Sequence, residues 1–199
     1  MMNKSQIQAA LYKMGFDNAY KAYSTAVKGF QFGWALGDKL SVDGIAGPLT
    51  QSAIKKSLAR LNVGKATMSN NFSFTEFRCK CGGRYSTCKR MWTNRSHVLR
   101  LEKYRAKVGK PVRIISGYRC PSHNQAVGGA SKSQHMYGYS SDFVGLVGSD
   151  TLASWRIFAG IGKGGQTGRA VHGDSRDLSP YNYTYGTTSR PTRWTYSWG

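Results

Sequence analysis

Residues 133–142 read SQHMYGYSSD and place an imidazole at His135 and a carboxylate at Asp142, with Gly138 between them. Neutral imidazole nitrogen and carboxylate oxygen are ligands that zinc takes, and a hydrolytic zinc site keeps one position open for water. Gly138 allows the backbone to turn sharply between the two side chains. The apolar run after Asp142 predicts a strand that would hold the carboxylate rigidly. The segment therefore predicts two ligands of a metal centre.

A third ligand is available downstream at His172, in the stretch VHGDSRD. A lone His–Asp pair would more often be a chance neighbourhood in a surface loop. The later histidine changes that balance, because a catalytic zinc takes three protein ligands. We predict that His135, Asp142 and His172 together bind one Zn²⁺ ion.

The pattern S-x-H-x-x-G-x-x-x-D of residues 133–142, followed by a histidine just after an apolar residue, resembles a known family. It is the family of zinc D-Ala-D-Ala carboxypeptidases and L-alanyl-D-glutamate peptidases, which are cell-wall peptidases common as phage endolysins. The family usually has Ala two residues before the Asp, where this chain has Ser140. The resemblance extends from Phe74 to the C-terminus. It implies an α+β domain with a central antiparallel sheet, of the hedgehog and DD-peptidase type.

Hydrolysis at such a site needs a general base and groups that bind substrate. Asp174 lies two residues after His172 and shares its face on a strand, so it is either the general base or a partner that orients His172. Related wall peptidases often have an acidic residue three positions before the last histidine, where this chain has Arg169. By resemblance, the Arg119 guanidinium binds a substrate carboxylate, which its fork matches bidentately. Three further residues are predicted to line the substrate site: Ser116, Tyr118 and Ser133.

The four cysteines are Cys79, Cys81, Cys88 and Cys120, and three interpretations compete for them. They form two disulfides, a second zinc site or free thiols. The C-x-C spacing with a distant fourth cysteine matches paired C-x₂-C zinc ligands poorly. The even count favours disulfides, with Cys79–Cys120 tying the domain entrance to the SGYR segment and Cys81–Cys88 closing a small loop. Against this, a protein made in the cytosol meets reducing conditions first.

Charge is the strongest compositional signal. The 199 residues contain 29 Lys and Arg against 9 Asp and Glu, which gives a net charge of +20. The excess is spread along the chain, with +6 in residues 1–65 and +14 in residues 66–199. It predicts attraction to a polyanion such as an anionic cell-wall polymer. It does not predict a specific nucleic-acid site, because the chain lacks a basic recognition helix, a zinc-finger spacing or an RNA-binding aromatic signature.

The N-terminal segment predicts a small helical module. Apolar residues recur at helical spacing from Ile7 to Met14, and Gly15 ends that helix. A second helix is expected over 26–34, and Thr50 can cap a third. The phrases FQ and VDGIAGP with a following Thr resemble the three-helix peptidoglycan-binding module found beside many wall hydrolases. The alternative is a helical hairpin whose Gly and Pro residues serve only turns.

Hydrophobic periodicity predicts the secondary structure of the segments after this module. Residues 92–108 predict a helix that leaves His97 on the surface, and PVRIISGYRC predicts a strand. We expect PSHNQAVGGASKS to be a polar loop, SDTLASWRIFA a helix, GIGKGGQTG a turn region, and RAVHGDSRD the last strand of the site. The Tyr- and Trp-rich tail is expected along the sheet edge or the cleft. The predicted organisation is a peptidoglycan-binding module at 1–63, a polar linker at 64–70 and a zinc peptidase domain at 71–199.

Three functions are compatible with these features. The first is a zinc peptidase that cuts peptidoglycan stem peptides, with the bond left open among D-Ala-D-Ala, L-Ala-D-Glu and cross-bridge bonds. The second is a non-catalytic wall-binding protein with a structural metal, and the third is a nucleic-acid-binding protein. We favour the first, as a monomer and a phage endolysin. No stretch is long and apolar enough to span a bilayer, and the N-terminus lacks a signal peptide. We therefore expect synthesis in the host cytoplasm and action on the wall after release.

Overall fold

The computed structural model describes residues 1–181 and 186–197. Helices and strands are mixed along the chain, and three short 3-10 helices separate some of them. The α-helices are α1 Lys4–Lys13, α2 Tyr23–Gly33, α3 Pro48–Asn62, α4 Arg95–Val108, α5 Pro121–Ala126 and α6 Ser149–Ser154. The strands are β1 Ile114–Ser116, β2 Ser140–Phe143, β3 Gly160–Gly164, β4 Ala170–Asp174 and β5 Thr192–Tyr196.

The five strands form one sheet in the order β1-β2-β4-β3-β5. All neighbours are antiparallel except β3 and β5, which are parallel. The predicted α+β class with a mostly antiparallel sheet is confirmed. Strands β2 and β4 lie side by side, with Asp142 opposite His172. The sheet thus brings together two positions that are thirty residues apart in sequence.

The three N-terminal helices form where the apolar spacing predicts them. In α1, Asn3 and Gln6 form a capping box, which satisfies backbone N–H groups that the helix itself cannot pair. The predicted cap at Thr50 is wrong, because α3 begins two residues earlier at Pro48. Proline is favoured in the first turn of a helix, where a backbone N–H has no intrahelical partner.

The buried side chain of Gln31 connects the phrases FQ and VDGIAGP. Its Nε2 donates to Asp43 Oδ1 at 2.8 Å and to Thr50 Oγ1 at 3.1 Å. Its Oε1 accepts from the backbone N–H of Gly44 at 2.9 Å. Gly44 has φ +83, a conformation that favours glycine. A single buried amide thus holds the turn against two helices.

Three predicted segments differ from the structure. The stretch predicted as a polar loop begins with α5, and the helix predicted over 149–159 ends at Ser154. The glycine-rich segment predicted as a turn contains β3, so β4 is not the last strand. A side chain at Gly160 would overlap the Asp174 carboxylate, and one at Gly162 would meet the rings of β5. Glycines occupy this strand because the neighbouring side chains leave no room.

The N-terminal helices share a hydrophobic core with the rest of the chain. The Phe74 ring lies 5.1 Å from that of Phe16 and 5.2 Å from that of Phe30. Within the segment predicted as a linker, Thr67 and Met68 are buried. The division of the chain at residues 64–70 stays a prediction, but the two sides of that boundary pack against each other.

The tail adds a strand to the edge of the sheet, as expected. Strand β5 pairs with β3 over its whole length, and the Trp194 ring lies 5.0 Å from the imidazole of His172. The tail therefore also borders the predicted metal site. The rest of the tail prediction falls at 182–185 and 198–199, which lie outside the described residues. Across the described ranges, no helix has the length and apolar character that crossing a membrane requires.

Candidate metal centre

The structure brings His135, Asp142 and His172 together, and all three are buried. His135 lies in a 3-10 helix that ends at Gly138, whose φ is +79. A side chain at Gly138 would collide with the carbonyl of Trp92, so both conformation and space require glycine at the predicted turn. From this turn the chain enters β2, which carries Asp142.

Three donor atoms face one another. Asp142 Oδ1 lies 2.7 Å from His172 Nδ1 and 3.2 Å from His135 Nε2, and the two nitrogens are 3.3 Å apart. Donors about 2.0–2.1 Å from a tetrahedral zinc lie about 3.3 Å from each other. Two of the three separations match this spacing and the one between Asp142 and His172 is shorter, and the donor set fits zinc.

The remaining nitrogen of each imidazole has its own partner. His135 Nδ1 is 2.6 Å from the carbonyl oxygen of Gly117 and donates to it. His172 Nε2 is 3.4 Å from Asp174 Oδ2. When the ring proton is on the nitrogen that faces this partner, each imidazole can direct its other lone pair into the donor cluster.

The negative charge of the Asp142 carboxylate favours binding of a cation. Burial acts to raise the pKa of Asp142, but the charges and hydrogen bonds of the two histidines hold it well below its usual value. Burial lowers the pKa of His135, which favours the neutral form that binds metal. For His172, burial acts to lower the pKa, and the hydrogen bonds to Asp142 and Asp174 outweigh it and raise the pKa.

Asp174 is held as a partner of His172. Its carboxylate accepts from Arg176 Nε at 2.9 Å and from Nη2 at 2.6 Å, and only 1% of the residue is exposed. Burial acts to raise its pKa, but the Arg176 guanidinium and His172 lower it strongly. A buried carboxylate already bound by a guanidinium is poorly placed to accept a proton. Of the two predicted roles, the contacts favour orienting His172.

Arg119 contacts a metal ligand. Its Nη2 binds Asp142 Oδ2, and its Nε donates to Ser116 Oγ at 3.0 Å. Its Nη1 makes no hydrogen bond to any described residue. The predicted substrate-binding arginine thus also fixes the carboxylate, and Ser116 supports the arginine.

The remaining predicted substrate residues are Tyr118 and Ser133, and their role in substrate binding stays a prediction. Tyr118 is 3% exposed and packs against three cysteines. Ser133 precedes the 3-10 helix, where its carbonyl accepts from the N–H of Met136, but its side chain does not cap that helix.

Two supporting residues were not predicted from the sequence. One is Arg176, although the D-x-R spacing after the last histidine is a signal for it. His97, predicted on the surface, is fully buried, and its Nδ1 and Nε2 contact the hydroxyls of Ser175 and Ser141 at 3.0 and 2.9 Å. It connects α4 to β2 and to the residue that follows β4.

The fold and the donor set are those of a metallopeptidase domain, and the comparisons agree. A profile of the Peptidase M15 family matches residues 70–174, so this chain belongs to that family. It is also similar to the zinc D-Ala-D-Ala carboxypeptidase of Streptomyces albus G, at 34% identity over 133 residues, which cover 53% of this chain and 51% of the relative. The chain thus spans about half the length of that curated relative. Together with the donor set, these matches confirm Zn²⁺ as the predicted metal.

Proposed function

We propose that this protein is a zinc-dependent peptidase that hydrolyses the stem peptides of bacterial peptidoglycan. The observation that carries the proposal is the convergence of His135, Asp142 and His172 on one buried point of a Peptidase M15 domain. The relative from Streptomyces albus G is a D-Ala-D-Ala carboxypeptidase by name. A zinc ion at such a site supplies Lewis acidity, which activates water and polarises a scissile carbonyl.

The residues of this chain prepare the site in three ways. The Gly117 carbonyl and Asp174 hold the two imidazoles in the required tautomers. The Nη2 of Arg119 binds Asp142 Oδ2. Its Nη1 remains available to bind a substrate carboxylate, which a guanidinium binds strongly. The aromatic rings of Trp194 and Tyr196 in β5 lie against His172 and help to fix its position.

The experiment is a digest of purified peptidoglycan, with the new amino and carboxyl ends identified by mass spectrometry. We expect one type of peptide bond to be cut, no cutting in excess chelator, and recovery when zinc is added. His172→Ala is the matched inactive protein. Full cutting in excess chelator would contradict the proposal, and wall binding without any new ends would support a non-catalytic wall-binding protein.

We further propose that the N-terminal helices bind the wall and that the protein acts as a phage endolysin. Two observations support wall binding. The turn held by Gln31 and the first turn of α3 expose Ile45 and Leu49, at 68% and 78% of their surface, and burying these two apolar side chains against a partner would be favourable. The net charge of +20 suits anionic wall polymers.

Wall binding is tested in the full chain carrying His172→Ala, so that the wall is not degraded during the assay. We expect Ile45→Ser with Leu49→Ser to reduce co-sedimentation with insoluble peptidoglycan. Val63→Ser is the matched control, because Val63 is equally exposed at the end of α3. Equal co-sedimentation of all three proteins would contradict the proposal. The endolysin role predicts loss of turbidity when the active protein is added to permeabilised host cells.

A further inference from the structure

A second cluster of metal-binding side chains lies outside the centre described above. Cys79, Cys81, Cys88 and Cys120 place their sulfur atoms within 4.8 Å of one another. All four are free cysteines, so the predicted pairs Cys79–Cys120 and Cys81–Cys88 are not formed. Three of the four are buried and Cys81 is partly exposed. The fold therefore gathers every cysteine of the chain at one point.

The arrangement matches a four-sulfur site better than two disulfides. Sulfurs bound to one zinc at about 2.3 Å lie about 3.8 Å apart at the corners of a tetrahedron. A disulfide needs only two sulfurs at about 2.05 Å, and nothing in its geometry brings two separate bridges into mutual contact. Mutual proximity of all four sulfurs is what a single ion requires.

Backbone and side-chain donors point at these sulfurs. The N–H of Arg90 donates to Cys88 Sγ at 3.4 Å, and the N–H of Cys120 donates to Cys79 Sγ at 3.4 Å. The Arg90 guanidinium lies 4.0 Å from Cys81 Sγ. Such donors stabilise the negative charge that thiolates carry when they bind a metal.

Arg90 has an unusual backbone conformation where it contacts the cluster. Its φ is +66, which is uncommon for a residue with a side chain and costs energy unless the surroundings require it. At this position the backbone N–H and the guanidinium each contact a cysteine sulfur. The guanidinium is in turn bound by Asp17, with Nε 2.6 Å from Oδ1.

The segment that carries three of the cysteines has little regular structure to hold it in place. Residues 78–94 form neither helix nor strand, and irregular segments of this length are uncommon within a compact domain unless they are functional or anchored. Its apolar contacts at the cluster are few, namely Tyr85 and Trp92 on the loop and Tyr118 beyond it. A bound ion would hold the segment without a larger hydrophobic core.

We propose that Cys79, Cys81, Cys88 and Cys120 bind a second zinc ion in a structural site. Four protein ligands close the coordination sphere, as in structural zinc sites, whereas the histidine centre supplies three. The site joins the irregular segment to Cys120. Cys120 directly follows Arg119 and lies three residues after Gly117, whose carbonyl contacts His135. The site thereby supports the contacts that orient His135 and Asp142. This proposal does not depend on the proposed peptidase activity.

The test is metal analysis of the full-length protein purified with reductant and zinc. We expect two zinc ions per chain in the wild type, one in the variant with His135→Ala and His172→Ala, and one in the variant with Cys81→Ser and Cys88→Ser. Cobalt added to the metal-free histidine variant should give the near-ultraviolet charge-transfer absorption of thiolate-bound cobalt. This last measurement keeps all four cysteines, so it does not depend on whether the serine variant folds.

Three results would overturn the proposal. One zinc per chain in the wild type, with four thiols that react at once, would show free cysteines. For protein purified without reductant, a mass four hydrogens below that of the reduced chain would show two disulfides. Iron in place of zinc would show a different metal, since four tetrahedral sulfurs also suit iron.

Discussion

The two clusters solve the same problem, holding metal ligands together, by different means. The histidine centre uses adjacent strands, so register alone places Asp142 beside His172. The cysteine cluster lies mostly on an irregular segment, where donors from Arg90 and Cys120 hold individual sulfurs. The sheet fixes the histidine centre, which can therefore leave one coordination position open for catalysis. The cysteine segment depends on its bound ion to become ordered.

The strongest way to break this comparison is to remove one cluster at a time. His172→Ala should reduce peptidoglycan hydrolysis to the rate without enzyme and leave residues 78–94 protected from hydrogen exchange. The serine variant at Cys81 and Cys88 should lose that protection and, with free zinc about 1,000 times Kd, lose about 4 kcal/mol of unfolding free energy. Equal loss of loop protection in both variants would contradict two separate sites.

Asp174→Asn sharpens the role of the residue behind the histidine centre. If Asp174 orients His172, the variant should bind zinc about 10- to 100-fold more weakly and recover activity when zinc is raised. If it is the general base, the rate should fall about 100- to 10,000-fold with zinc fully bound. The measurement is activity at saturating zinc with bound zinc counted in the same sample. Asp177→Asn, which breaks the Arg100 ion pair, is the control for losing a carboxylate.

The buried His97 should make the stability of the fold around the ligand-bearing sheet depend on pH. Burial lowers its pKa to about 3, so between about pH 6.5 and 3 the unfolded chain binds a proton that the folded chain does not. Stability should therefore fall as pH falls through this window, by about 1.4 kcal/mol per unit. We expect His97→Gln to remove that part of the slope in urea unfolding at pH 6.5 to 4.5. Parallel wild-type and variant curves would contradict the assignment.

The smallest expected effect concerns Ser140 in β2. Its hydroxyl is buried and has no partner among the described residues, so Ser140→Ala should raise the unfolding free energy by about 1 kcal/mol. Ser57→Ala is the matched control, because Ser57 Oγ accepts from Trp34 and donates to the Thr67 carbonyl and its loss should destabilise. A lower unfolding free energy for Ser140→Ala would contradict this prediction, because it would show that the hydroxyl stabilises the fold.

The ligands of the first cluster could be predicted because their signal is local. His135, Gly138 and Asp142 lie within eight residues, and the strand that carries His172 is marked by its own apolar residues. Strand β3 could not be predicted, since its glycines are set by the space that Asp174 and the β5 rings occupy. Propensity measures the residue itself and not the neighbours that exclude a side chain.

The second cluster was hidden for a related reason. Its cysteines are separated by one, six and thirty-one residues, which matches no paired pattern of zinc ligands. Cys120 is placed beside the other three by contacts of the chain around β1 and not by a local turn. The backbone N–H of Tyr118 donates to the carbonyl of Phe77, and this contact brings the two distant cysteines together. The buried position of His97 was missed likewise, since its partners are hydroxyls on β2 and after β4.

The ion pair between Asp17 and Arg90 limits how the two ends of this chain can be recombined. Asp17 lies in the turn after α1, while Arg90 donates to one cysteine sulfur and lies beside another. A different N-terminal segment joined at residues 64–70 would remove the carboxylate and leave a buried guanidinium unpaired, which is costly. Exchange of the N-terminal helices between related chains is therefore constrained at an acidic position outside both clusters, and a functional chimera must carry a carboxylate there.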